Sequence, residues 1–243
     1  MTKNTKVNAA ILIIGNEILS GRTQDTNTST LATWLNTIGV KVEEVRVIPD
    51  IERIIIDTLN FLRSNYDYVF TTGGIGPTHD DITTESIAKA FNVKLETNPE
   101  ALKILQSYYK EGELNEARLK MTLLPKGAEL VENPVTKAPG FKMENVFVMA
   151  GIPSIMQGML EGAKIFLKIG NKMTSKSIDV FMPESYVAEE LSKIQDNYPE
   201  VEIGSYPFNK EGQFGTSLVM RSANLNTLEL CASDVTKMVK KLG

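Results

Sequence analysis

The segment TTGGIGPTHDD, residues 71–81, joins an apolar run to a segment with the pattern of a helix. The run DYVFTT (67–72) predicts a buried strand, and TTESIAKAF (83–91) predicts a helix capped by Thr83. Glycines placed just before a helix N-terminus free backbone N–H groups that can bind an anion. The segment therefore predicts a strand, a ligand-binding loop and a helix, although a tight turn with no ligand would also explain the glycines.

Strands and helices alternate through the first part of the chain. Strands are predicted at 9–15, 40–48, 67–72, 128–131 and 145–151, and helices at 26–39, 51–64, 83–91, 98–110 and 153–168. Alternation of this kind predicts an α/β fold, a doubly wound and mostly parallel sheet with helices on both faces. In such sheets ligands bind beyond the carboxyl ends of the strands, where the glycine loop and Asp50 both fall. We also expect Asp50 to cap the helix at 51–64.

The C-terminal part of the chain has a different pattern. The stretch GNKMTSKS (170–177) is polar and predicts a linker. Beyond it the order of elements is β-α-β-β-α, which predicts a small α+β unit. We therefore expect two domains, 1–170 and 171–243.

Composition restricts the class of protein. The chain has 243 residues, 42% of them hydrophobic and 23% charged, with a formal net charge of −4. A net negative charge argues against nucleic acid or an anionic membrane as a partner. The single cysteine, Cys231, excludes an internal disulfide framework and favours a reducing compartment. With no signal-peptide pattern and no bilayer-spanning apolar run, we expect a cytoplasmic protein.

Asp80 and Asp81 stand together just before the helix that follows the glycine loop. One aspartate there would be explained by the helix dipole. Two of them, near Asp50, predict a cluster of like charge that requires a cation. Oxygen ligands favour Mg²⁺ or Mn²⁺, and one histidine with one distant cysteine argues against a zinc site.

Two further segments hold candidate ligand-binding side chains. GNEILSGRTQDTN (15–27) contains Glu17, which would need a partner if buried, and Asn27. NPVTKAPGF (133–141) contains Lys137 and is either a rigid connection or a lid that brings a cation toward phosphate. The glycine loop itself is neither a dinucleotide fingerprint, whose last glycine would fall on His79, nor a P-loop.

Several of these segments together resemble a known family. They are IGNEILSGRTQDTN, VIPD, TTGGIGPTHDDIT, LPKGAELVENPVTKAPGF and VFVMAGIPSIM, within about residues 9–165. The chain resembles the molybdopterin-binding fold, most closely the competence/damage-inducible protein A (CinA) family and the N-terminal half of eukaryotic FAD synthase. MoaB-like relatives have a threonine where this chain has Ile75 and a single aspartate where it has two. The sequence is therefore more similar to the CinA side.

The resemblance implies an activity and a set of site residues. Asp50 and Asp81 would be the metal and catalytic aspartates, with Asp80 as a helper. The phosphate-binding glycines would be Gly73, Gly74 and Gly76. Apart from the resemblance, Thr78, Glu17, Asn27 and Lys137 are further candidates for phosphate or nucleotide binding.

The implied activity is that of a metal-dependent pyrophosphatase acting on ADP-ribose or FAD, with Mg²⁺ or another divalent cation as cofactor. A molybdopterin-binding or molybdopterin adenylyltransferase protein is the first alternative, and a non-catalytic nucleotide-binding regulator is the second. As partners we expect a small-molecule nucleotide or pterin and further copies of the same chain in a homo-oligomer, but neither a nucleic acid nor a membrane.

Overall fold

The computed structural model describes residues 7–210 and 212–242. The chain divides into two compact units, Met1–Gly170 and Asn171–Gly243. None of the described helices combines the length and the apolar character needed to cross a bilayer.

The first unit alternates strands and helices along most of its length. Its strands are β1 Val7–Ile14, β2 Val40–Ile48, β3 Tyr68–Thr72, β4 Leu95–Thr97, β5 Leu123–Pro125, β6 Glu129–Val131, β7 Gly140–Met143 and β8 Val146–Met149. Its helices are α1 Asn16–Leu19, α2 Asn27–Thr37, α3 Glu52–Asn65, α4 Thr83–Ala90, α5 Pro99–Tyr108, α6 Glu116–Lys120 and α7 Pro153–Lys164.

A six-stranded sheet forms the centre of this unit, in the order β2-β1-β3-β8-β7-β6. The first four strands in that order are parallel, and β7 and β6 extend the sheet in antiparallel fashion. The mostly parallel α/β sheet predicted from the sequence is therefore confirmed. The antiparallel hairpin end was not predicted, because β7 begins inside the proline-containing segment 133–141.

Alternate residues of β1 enter two separate cores, one on each face of the sheet. Ala9, Ile11 and Ile13 lie in the core that includes residues of α2 and α7, whereas Leu12 and Ile14 lie in the core that includes residues of α3. Burial of each of these isoleucine and leucine side chains stabilises the fold by roughly 1.5–3 kcal/mol. A strand buried on both faces explains why the sequence of β1 is a continuous apolar run.

Two predicted helix caps are wrong. Helix α3 has Ile51 as its N-cap, with no side-chain cap, and the Asp50 carboxylate instead accepts a hydrogen bond from the backbone N–H of Asn16. Thr83 is the first residue of α4, and its hydroxyl is buried without a hydrogen-bond partner among the described residues. Asp50 is held by a segment distant in sequence, which local rules do not include, and the Thr83 N–H donates to the Gly74 carbonyl at 3.0 Å.

The second unit has the predicted order of elements. It contains β9 Thr174–Val180, α8 Glu184–Asn197, β10 Glu202–Lys210, β11 Gln213–Ser222 and α9 Leu225–Leu242. The strands form an antiparallel sheet in the order β10-β11-β9. The linker expected at 170–177 is shorter than predicted, since β9 begins at Thr174. The small α+β unit itself is confirmed.

Candidate functional site

Four parallel strands end at the same edge of the central sheet, and their loops meet there. The N–H of Gly15, after β1, donates to the carbonyl of Ile48 in β2 at 3.1 Å. The N–H of Gly73, after β3, donates to the carbonyl of Met149 in β8 at 3.3 Å. The fold thus places the segments that carry Glu17, Asp50 and the glycine loop along one edge, as expected for a ligand site of this architecture.

Positive φ angles and close neighbouring atoms require glycine at the first two glycine positions of the loop. Gly73 has φ +106° and Gly74 has φ +67°, which disfavours residues with a side chain. A Cβ atom at Gly73 would lie 2.0 Å from the Ile14 carbonyl oxygen, and one at Gly74 would lie 2.2 Å from the Thr83 hydroxyl. These glycines are therefore needed by the fold itself, and their role in phosphate binding stays a prediction.

Asp81 organises the second half of the loop. One of its carboxylate oxygens accepts hydrogen bonds from the Thr78 N–H at 2.8 Å and from the Thr78 hydroxyl at 2.5 Å. That same oxygen would lie 2.7 Å from a Cβ placed at Gly76, so the loop closes tightly around this side chain. Asp81 is half-buried, and the structure shows no hydrogen bond to its Oδ1 from any described residue.

Asp80 lies beside Asp81 but is exposed, as is His79. The Thr78 hydroxyl is the main reason that the pKa of Asp80 lies below its ordinary value, followed by the residue's own backbone N–H and by the positive charges of His79 and Lys120. The Asp80 carboxylate therefore stays ionised at neutral pH, available at the surface of the loop.

Lys120 is a loop contact that the sequence did not indicate. Its ammonium group donates to the carbonyl oxygens of Thr78 at 2.7 Å and of Asp81 at 3.1 Å. The second contact spans 39 residues of sequence, and the lysine stands at the end of the short helix α6, a segment for which the sequence pattern predicts no element. No local sequence pattern indicates this role of Lys120, because the role depends on a contact between segments that are distant in sequence.

The three aspartates do not form the cluster that the sequence predicted. Among residues 7–210 and 212–242, no group of three or more His, Cys, Asp or Glu side chains is arranged to hold a metal ion. Asp50 and Asp81 each use Oδ2 for backbone N–H groups, of Asn16 and Thr78 respectively, and each keeps an oxygen with no hydrogen bond from the described residues. This donor set fits a hard cation only if phosphate or water oxygens supply the remaining ligands.

Asn27 lies at a small cavity of about 40 Å³ beside the first glycine of the loop. Its side chain is 5% exposed, and its amide nitrogen donates to the Gly151 carbonyl at 2.7 Å. Because that carbonyl can only accept, the Asn27 carbonyl oxygen points elsewhere, and it has no partner among the described residues. Glu17 lines the same cavity and is exposed, so it does not need the partner that a buried carboxylate would require.

The loop around Lys137 is held by its own side chains. The Asn133 amide donates to the Thr136 hydroxyl at 2.7 Å and to the Ala138 carbonyl at 2.8 Å. Lys137 itself has φ +62°. These bonds favour the rigid connection over the lid, and the binding role of Lys137 stays a prediction.

The match to known families follows the division into units. Residues 10–168 match the family described as "Probable molybdopterin binding domain". This chain belongs to the molybdopterin-binding domain family. Residues 172–242 match the family described as "FAD synthase, middle domain".

Individual relatives place this family member near CinA. The structure of CinA from Thermoplasma acidophilum is 33% identical, with a TM-score of 0.60, and the match covers 65% of this chain and 97% of that one. A protein from Archaeoglobus fulgidus is 38% identical over 197 residues, 81% of this chain and 84% of its own length. A CinA-like protein from Citrifermentans bemidjiense is 41% identical over 158 residues, which are 63% of this chain but only 38% of that protein. The resemblance to CinA and to FAD synthase is confirmed.

Proposed function

We propose that this chain is a metal-dependent pyrophosphatase that cleaves an adenylated dinucleotide, either ADP-ribose or FAD. The observation that carries the proposal is that the glycine loop with Asp81 and the segment that carries Asp50 both follow strands that end at the ligand-binding edge of the sheet. The family match supports a small-molecule nucleotide or pterin as ligand.

The glycine loop and the aspartates have different roles in this reaction. Free N–H groups between Gly73 and the start of α4 hold the phosphates and stabilise the charge that develops on them. A divalent cation would be held by oxygens of Asp50 and Asp81 together with phosphate or water oxygens, and Asp80 would add negative charge beside Asp81. A bound cation supplies charge neutralisation and lowers the pKa of a coordinated water.

The overall chemistry is hydrolysis of one phosphoanhydride bond. Water adds to one phosphorus atom, the bond from that phosphorus to the bridging oxygen breaks, and the bridging oxygen leaves with the other phosphate. The two protons of the water are released or taken up by the product phosphates. The products are AMP with ribose 5-phosphate from ADP-ribose, or AMP with FMN from FAD.

A second candidate function is molybdopterin binding or adenylation. The match of residues 10–168 to a probable molybdopterin-binding domain favours it. The third candidate, a non-catalytic regulator, would use the same loop for nucleotide binding without turnover.

The deciding experiment measures AMP release from ADP-ribose and from FAD, with added Mg²⁺ or Mn²⁺ and with excess chelator. We expect turnover only with metal, and a loss on the order of a hundredfold in Asp81→Asn, because one metal ligand loses its charge. Asp57→Asn is the matched control, since this aspartate lies on the exposed face of α3.

Two results would favour the other candidates. Consumption of ATP only in the presence of molybdopterin would favour the adenylyltransferase, and saturable nucleotide binding without any turnover would favour the regulator. Full AMP release in excess chelator by metal-free protein would remove the metal from the mechanism.

A further inference from the structure

A second cavity, of about 140 Å³, is lined by Ile75 and Gly76 of the glycine loop and shares no lining residue with the cavity at Asn27. Its apolar walls come from the loop and from the segments around β4, β5 and β7. They are formed by Ile75, Leu95, Met121, Leu123, Leu124 and Phe141. The volume is below the roughly 300–1,000 Å³ of a pocket for a whole drug-sized ligand, so the cavity suits one part of a larger molecule.

The polar part of the cavity lining comes from the glycine loop, the first turn of α4 and Lys120, and it includes Glu85, which is paired with Lys89. Gly76 and Asp81 belong to the loop, Lys120 binds two of its carbonyls, and Thr84 stands in the first turn of α4. A ligand in this cavity would therefore have an apolar part against Leu123 and a polar or charged part near the loop. A planar heteroaromatic ring attached to a phosphate has this distribution of polarity.

The smaller cavity, at Asn27, differs from this one in its volume and in its lining. It has about 40 Å³, which is room for a few waters at roughly 10–15 Å³ each. Asn27 lines it, but the unpartnered carbonyl oxygen of Asn27 is itself buried. Of the two cavities beside the loop, the larger one is the better fit to a ring.

We propose that the larger cavity binds the heteroaromatic ring of a nucleotide, with the phosphate of that nucleotide toward Gly76 and Asp81. This inference rests on the proposed function for the identity of the ligand as a nucleotide. Beyond the proposed function, it specifies which cavity holds the ring and which residues contact the ring. Ring recognition here is by apolar contact, with Leu123 and Met121 as the accessible wall.

The test fills the cavity from its exposed wall. Leu123 and Leu119 are each 37% exposed, but only Leu123 lines the cavity. We expect Leu123→Trp to weaken AMP binding at least tenfold in calorimetric titrations with Mg²⁺, and Leu119→Trp to change it less than twofold. Ribose 5-phosphate, which has no ring system of this kind, should bind both variants as it binds the wild type.

Two further measurements keep the inference falsifiable if Leu123→Trp does not fold. Met121→Trp fills the same cavity from a neighbouring position and should also weaken AMP binding. In the wild type, AMP should bind at least tenfold more tightly than ribose 5-phosphate, a ratio that needs no variant. Equal binding of the two, or unchanged AMP binding in folded Leu123→Trp or Met121→Trp protein, overturns the ring site.

Titrations with AMP, FMN and biopterin identify which ring the cavity accepts, and failure of all three to bind the wild type also overturns the ring site.

The ring site and the proposed hydrolysis fail in distinguishable ways. Loss of AMP binding in Leu123→Trp without any hydrolysis by the wild type supports the ring site and rejects the pyrophosphatase. Metal-dependent hydrolysis with an unchanged KM in Leu123→Trp supports the pyrophosphatase and rejects the ring site.

Discussion

Gly74 shows how the demands of the fold and of the ligand site overlap at one residue. A side chain there meets two costs: the positive φ of +67° and a contact of 2.2 Å with the buried Thr83 hydroxyl. Gly127 has a similar φ of +88°, but a Cβ there would meet nothing within 4 Å. Comparing substitutions at Gly127 and Gly74 therefore distinguishes the cost of backbone strain from the cost of steric overlap.

We predict that Gly127→Ala lowers the free energy of unfolding by about 1–2 kcal/mol, which is the cost of left-handed backbone alone. Gly74→Ala should cost clearly more, because the overlap with Thr83 adds to the strain. Urea denaturation of both variants measures the difference. Adding Thr83→Ala to Gly74→Ala should recover part of the loss, since it removes the overlapping hydroxyl; equal stability of the two single variants would contradict the steric account.

Asp80 gives a pH prediction at the same scale. Its folded pKa is lowered, first by the Thr78 hydroxyl and more weakly by Lys120. The interactions of the ionised carboxylate are therefore present above the unfolded pKa and are lost as the pH falls through the folded pKa. We expect carboxyl NMR titrations to place the pKa of Asp80 below its ordinary value of 3.8, and Lys120→Met to raise it without abolishing the shift. A pKa unaffected by Lys120→Met would show that the lysine does not act on this carboxylate.

At the scale of elements, Lys120 connects the end of α6 to the glycine loop through two carbonyl groups. We predict that Lys120→Met accelerates hydrogen exchange of the backbone amides in 78–82, because the loop loses the two hydrogen bonds that tie it to α6. Lys126→Met is the control, since this lysine is also exposed but its described contact is made by its backbone. Exchange that is equally fast in both variants would show that Lys120 does not order the loop.

Sequence patterns predicted the elements that depend on local signals. Asn98 followed by proline predicted the start of α5, and the Asn98 side chain accepts from the N–H groups of Glu100 and Ala101. The buried strand β1 and the order of elements in the second unit were predicted for the same reason: apolar periodicity reports burial. The glycine loop was also placed at the correct edge of the sheet.

What the sequence could not predict depends on contacts between distant segments. Asp50 binds the Asn16 N–H instead of capping its own helix, and Lys120 reaches a loop 39 residues away. The expected metal-binding cluster of three aspartates is absent from the described residues, in which Asp81 instead binds Thr78 and Asp50 binds the Asn16 N–H. Charge spacing in a sequence does not show which backbone donors a carboxylate will find.

At the scale of the whole molecule, Cys231 reports on the second unit. This single thiol is fully buried among residues of that unit, and burial raises its pKa. We predict that it does not react with a thiol reagent at about pH 8, close to the unperturbed thiol pKa, in the native protein and reacts fully in denaturant. Rapid labelling under native conditions would show that the second unit opens readily around α9.

Each unit also has cores of its own. The two cores on either side of the central sheet contain only residues between Val7 and Leu167, and the third contains only residues between Ile178 and Val239. Trp34, the only tryptophan of the chain, packs edge-on against Phe70 in the first unit, with ring centroids 6.3 Å apart. Its fluorescence therefore reports on the central sheet alone.

We predict that residues 1–170 fold without the second unit, because their cores are complete. A protein ending at Gly170 should show one cooperative unfolding transition by Trp34 fluorescence and should bind AMP as the full chain does, since the glycine loop and both cavities lie within it. Metal-dependent AMP release should be retained as well. A truncated protein that unfolds cooperatively but neither binds AMP nor turns over ADP-ribose would show that the segment matched to the FAD synthase middle domain takes part in the reaction, and the site would then have to be redrawn to include it.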